Sequence, residues 1–148
     1  MLQAACRLAD LGARLHPEHR AELAFIQVLH APIAGQAHAE RAFLAAAVYA
    51  RYGGAPAAMP EQETVRRVLD PDCVARARVL GLAMRLGCDL AGRAPAPLRD
   101  STLAFRNSKL VVTAPPARAD MLLGEQTAKR ANALAQALGF ELEVGVGG

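Results

Sequence analysis

Tryptophan is absent, and aromatic residues make up only 4% of the 148 positions, as two tyrosines and four phenylalanines. A core with so few large rings closes by bringing backbones close together. The 53% hydrophobic fraction leans heavily on alanine, a composition that favours tightly packed helices. Cysteine is scarce and odd in number. Cys6, Cys73 and Cys88 form no CxxC pair and no Cys/His cluster, which excludes a disulfide framework and a zinc-finger type of site. They read as small core residues in a reducing cytoplasm. Serine is scarcer still: Ser101 and Ser108 are the only two, and neither sits in a GxSxG setting, which argues against serine-hydrolase chemistry. No apolar run approaches the ~20 residues of a membrane span, and the opening MLQAACRLADLG is too often interrupted by charge to be a signal peptide. The expectation is a soluble, cytoplasmic protein with no membrane partner.

Charge of one sign is also lacking. The net charge of +3 comes from 17 basic against 14 acidic residues, is shared by both ends of the chain and contains no run of five like charges. A nucleic-acid partner is therefore not expected. Gly53-Gly54 and the glycines from 145 to 148 are not followed by the Lys-Ser/Thr or helix start that a nucleotide-phosphate loop needs.

What is there is helical punctuation. Apolar residues at helical spacing predict a helix over Leu2–Arg14 and a second one opened by His16-Pro17-Glu18, with proline in the first turn, and closed near Ala31-Pro32. A third runs from Gln36 to Tyr52 and stops at Gly53-Gly54; a short fourth covers Glu61–Leu69. Asp70-Pro71-Asp72 caps a long fifth from Cys73 to about Ala91, with Val79, Ala83, Leu86 and Leu90 on one face, before Gly92, Pro95 and Pro97 break the pattern. Near residue 98 the period changes. Ser101–Arg106 and Lys109–Ala114 alternate around Asn107-Ser108 as a hairpin, Arg118–Leu138 is helical up to Gly139, and Phe140–Val146 alternates again. The fold class is mainly α: a helical domain over 1–97, then a small ββαβ unit of α+β type over 98–148.

Three kinds of chemistry can be weighed. His16 and His19 are three apart, a spacing that brings two rings to one side of a turn, with Glu18 and Glu22 nearby. Because three ligands of defined geometry are normally needed and the acids are expected on a solvated face, no metal site is expected. Arg78 and Arg85 lie seven apart on one face of the long helix, where a guanidinium suits phosphate; Asp89, four residues after Arg85, offers it a plain ion pair instead. Arg14, His19, Arg20, Arg41 and Arg51 are further basic candidates, and surface charge is the ordinary role for most of them. No catalytic residue is assigned.

Two stretches, HPEHRAELAFIQVLHAPIAGQAHAERAFLAAAVYARYGG at 16–54 and ARVLGLAMRLGCDLAGR at 77–93, resemble the helical carboxy-terminal region of the exopolyphosphatase and guanosine-pentaphosphate phosphatase family, and LLGEQTAKRANALAQALGFELEV is similar to its closing helix and strand. The resemblance implies a helical domain related to the HD phosphohydrolases. It also implies two preceding actin-like lobes, absent from these residues, that would hold the active site with a divalent cation, magnesium. The chain alone would then hold no cofactor and be inactive. The HD metal pattern is departed from, since Ala9 precedes Asp10 in LADLG. By the same resemblance the partners are inorganic polyphosphate and a second copy in a homodimer, with His19, Arg20, Arg51 and Arg85 as phosphate-binding residues. Two rivals stand beside it: an independent HD-like metallophosphohydrolase using His16, His19, His30, His38 and Asp10, and a scaffold without phosphate affinity.

Overall fold

The computed structural model describes residues 1–91 and 98–147. The break at Gly92, Pro95 and Pro97, and with it the division after residue 97, lies outside the described residues. Among the described residues the chain is 60% helical with one three-stranded sheet, which makes it mainly α. Its contacts divide it into two compact units, Met1–Met84 and Arg85–Gly148.

The first unit holds α1 (Leu2–Arg7), α2 (Arg20–Leu29), α3 (His38–Arg51), α4 (Gln62–Val68) and most of α5 (Pro71–Ala91). Its centre is α3, where every residue from Leu44 to Ala50 is buried. Phe25 of α2 meets Tyr49 of α3 edge to face, with centroids 5.9 Å apart, and Val28, Val65, Leu69 and Met84 complete the cluster. Alanines let the helices approach. Ala46 and Ala47 of α3 face Ala77 of α5, and Gly81 lies so close that a Cβ there would fall 2.2 Å from the Ala47 carbonyl oxygen.

The helix ends follow the expected chemistry. After α3, Gly53 takes a φ of 89°, and its N–H and that of Gly54 donate to Ala50 O and Tyr49 O, both at 3.0 Å. That is the paired closure glycine permits at a helix carboxyl end. Asp70 Oδ1 accepts the Cys73 N–H at 2.6 Å to open α5, with Pro71 as its first residue. On α5, Leu86 and Leu90 are buried as expected, but Val79 and Ala83 are only half-buried, and Ala77, Gly81 and Met84 are the more deeply buried positions of that stretch. Gly81 decides this: the close approach to α3 turns its side of the helix inward.

Two expected helices are shorter. α1 stops at Arg7, and residues 8–15 form a series of tight turns in which several N–H groups reach the carbonyl three residues back, as in Leu11 to Leu8 at 3.1 Å and Ala13 to Asp10 at 2.9 Å. The competing partner is Tyr52, whose hydroxyl donates to Ala9 O and accepts from Gly12 N, both at 2.8 Å. α2 opens at Arg20 and not at Pro17, because His16–His19 is a closed turn with the His19 N–H on His16 O at 3.1 Å.

The second unit carries the anticipated ββαβ order. β1 (Thr102–Arg106) pairs antiparallel with β2 (Lys109–Ala114), and β2 pairs parallel with β3 (Glu141–Val146). Asn107 and Ser108 have φ of 48° and 61°, the mirror-image turn that two-residue hairpins prefer. The helix expected as one piece is split into α6 (Ala119–Leu122) and α7 (Glu125–Leu138), because Gly124 takes an extended backbone and starts α7 afresh. Leu110, Val112 and Ala114 of β2 and Ala131, Leu134 and Ala135 of α7 are buried.

Candidate functional site: two arginines on one tyrosine

The basic residues at the carboxyl end of α3 and the start of α2 meet on a single ring. Arg51 is the last residue of α3, and its guanidinium carbon lies 5.0 Å from the Tyr52 centroid; that of Arg20, the first residue of α2, lies 5.8 Å from the same centroid. Both fall within the range where an aromatic face attracts a cation. The ring is held from its far end by the two hydroxyl hydrogen bonds to Ala9 and Gly12. Gly12 is buried beneath this arrangement, and a Cβ there would fall 2.8 Å from Tyr52 Cε2 and 2.9 Å from Arg20 Cγ. Burial raises the Tyr52 phenol above its ordinary value, opposed by the Gly12 N–H and by Arg51, so the ring stays neutral and its hydroxyl keeps its proton.

The two arginines are not equivalent. Arg20 spends Nε and Nη2 on Leu15 O, at 3.3 and 3.2 Å, and thereby ties the 8–15 segment to α2. Arg51 Nε is buried and meets no acceptor. A buried charged donor without a partner is costly.

Of the four phosphate candidates, Arg20 and Arg51 come together on Tyr52, and His19, exposed, immediately precedes Arg20 as the α2 cap. Arg85 belongs to the second unit, half-buried on α5. Asp89, offered above as a partner for Arg85, forms an ion pair with Arg130 of α7. The other basic candidates have structural work or full exposure: Arg41 Nη2 bonds His38 Nδ1 at 2.7 Å, while Arg14 and Arg78 are exposed. The cavity of about 830 Å³ lined by Pro56, Met59, Arg66, Arg67 and Val74 contains none of the four.

Tyr52 and Gly12 are the residues the sequence reading passed over. A signal was present: in a chain with two tyrosines, one stands between an arginine and the Gly53-Gly54 helix stop, and such a position points back over its own helix end. Nothing local marks Gly12 as the ring's partner.

Fold and surface together define an α-rich domain with a ββαβ unit, bearing a paired-arginine patch. The sequence pattern described as exopolyphosphatase, C-terminal, matches residues 1–144, and the chain belongs to that family. It is a carboxy-terminal part of an exopolyphosphatase-like protein. A search of curated proteins found no match. None of the described helices is long and apolar enough to cross a membrane.

Proposed function

We propose that this chain is the non-catalytic part of a polyphosphate or guanosine-pentaphosphate phosphohydrolase and that it holds an inorganic polyphosphate chain on the Arg20–Tyr52–Arg51 patch. The observation that supports this most directly is the meeting of the Arg20 and Arg51 guanidiniums on the Tyr52 ring, 5.8 and 5.0 Å from its centroid. A polyphosphate repeats the same oxygen-rich unit, so several weak charge-assisted contacts hold it without fixing its register. His19 adds a ring donor next to Arg20, and Arg85 of the second unit is kept as a separate phosphate candidate.

In this reading hydrolysis belongs to two preceding actin-like lobes. Magnesium would be held there and not here: it takes oxygen donors, whereas the metal-capable group among the described residues, His16, Glu18 and His19, offers two imidazoles and one carboxylate. We read the helical unit as HD-like with its chemistry lost, since Ala9 precedes Asp10. The homodimer is carried along with the proposal, supported by Leu23 and Ile26, which leave apolar surface exposed on α2.

The test is titration of the purified chain with long-chain polyphosphate at low and moderate salt, comparing wild type with Arg20→Gln/Arg51→Gln. Each charge-assisted contact is worth about 1.5–3 kcal/mol, so affinity should fall at least about tenfold in the double variant and the salt dependence should flatten. Wild type that ignores polyphosphate at low salt, or a folded double variant that binds equally well, overturns the proposal. Sedimentation of the chain at several concentrations tests the dimer.

A further inference from the structure

Sequence spacing put Glu18 and Glu22 near His16 and His19 but gave no defined ligand geometry. The structure supplies one for Glu18. One ligand atom from each of His16, Glu18 and His19 lies within 4.8 Å of the others, and the two rings stand 5.9 Å apart at 35°. The turn that carries them is closed by the His19 N–H on His16 O, and Pro17 fixes its own φ within it. The backbone is thus set before any ligand arrives, and only side-chain torsions remain free.

The contrast with the other two histidines is informative. His30 Nε2 is bonded to Glu61 at 2.7 Å, and His38 Nδ1 is taken by Arg41. His16, Glu18 and His19 are exposed, and among the described residues their side chains have no hydrogen-bond or ion-pair partner. The neighbouring cation, Arg20, turns its guanidinium to Leu15 O and the Tyr52 ring.

We propose that His16, Glu18 and His19 form a binding site for one divalent transition ion of the zinc or cobalt class. Two imidazole nitrogens and one carboxylate oxygen suit these ions, whereas magnesium and calcium take oxygens. With metal–ligand bonds of about 2.0–2.2 Å, two ligand atoms on one ion lie at most about 4 Å apart. Closing from 4.8 Å is therefore a small rotation of exposed side chains. Three protein ligands leave a fourth position for water. Exposure and the nearby Arg20 charge both weaken the site.

The experiment is calorimetric titration of the untagged full chain with Zn²⁺, together with Co²⁺ absorption, without polyphosphate, which chelates cations. Wild type should bind one equivalent and give the visible bands of cobalt held by nitrogen and oxygen. His16→Ala and His19→Ala should each abolish saturable binding, and Glu18→Gln should weaken it at least about tenfold, all with unchanged circular dichroism. No saturable equivalent in wild type, binding that survives in a His16→Ala/His19→Ala double variant, or a thiolate charge-transfer band pointing to Cys6, Cys73 or Cys88 would each overturn the site. The polyphosphate titration, run in chelator, stands or falls separately on Arg20 and Arg51.

Discussion

Gly81→Ala and Gly87→Ala make the same chemical change at two positions on α5, and they should act in opposite directions. In a helix interior alanine is favoured over glycine by about 1 kcal/mol. At Gly87 the added methyl meets nothing within 4 Å among the described residues, so that gain should appear nearly whole. At Gly81 it would fall 2.2 Å from the Ala47 carbonyl oxygen, 2.7 Å from Ala50 Cβ and 2.9 Å from the Arg51 backbone nitrogen. None of these is the end of a flexible side chain, so α3 and α5 must separate. Overpacking of this kind costs about 1–3 kcal/mol, and a clash with fixed backbone belongs at the upper end. Subtracting the propensity gain leaves a net loss of about 2 kcal/mol, a fall in Tm of about 4–8 °C for a chain of this size. Urea denaturation and thermal melts of both variants measure the difference. A Gly81→Ala variant as stable as Gly87→Ala would refute the close α3–α5 packing.

Tyr52→Phe removes one hydroxyl and leaves Ala9 O and Gly12 N without their partner, which should cost about 1–3 kcal/mol in urea denaturation; an unchanged midpoint would refute the clasp. Asp70 is held below its ordinary value of 3.8 first by the Cys73 N–H, so its contribution is present above that value and is lost as pH falls through the lower folded value. The stability difference between wild type and Asp70→Ala should therefore be full at about pH 6 and vanish in strong acid, and a difference that persists there would refute it. Asp89→Asn breaks the ion pair with Arg130, whose side chains are 22% exposed on either side, and should destabilise the second unit by about 1–3 kcal/mol, read by hydrogen exchange of α7 amides.

Where punctuation is local, the chain could be read directly. Gly53-Gly54, Asp70-Pro71 and Asn107-Ser108 each settle a helix end, a helix start or a turn within a few residues, and the structure has all three where the sequence suggested. Where a distant group competes, the reading ran too far. Periodicity from Leu2 onward is helical, yet the phenol of Tyr52 captures Ala9 and Gly12 and ends the helix early. Arg130 of α7 pairs with Asp89 from another element, which spacing along α5 could not show. In the candidate site the arginines of ARYGG and PEHRAE were legible as basic residues. Their meeting on one ring was not, because it depends on how α2 packs against α3.

The clasp also sets an order in time. Residues 8–15 have little helix of their own, and while Arg20 holds Leu15 O, what fixes Ala9 and Gly12 sits forty residues downstream of Gly12, just past the end of α3. A growing or refolding chain therefore cannot settle this segment until α3 is complete and its last turn is closed by Gly53 and Gly54. The Gly12 amide becomes a reporter for that event: its exchange with solvent should slow only when the far end of α3 locks into place, although the two sites are linked by no element of secondary structure.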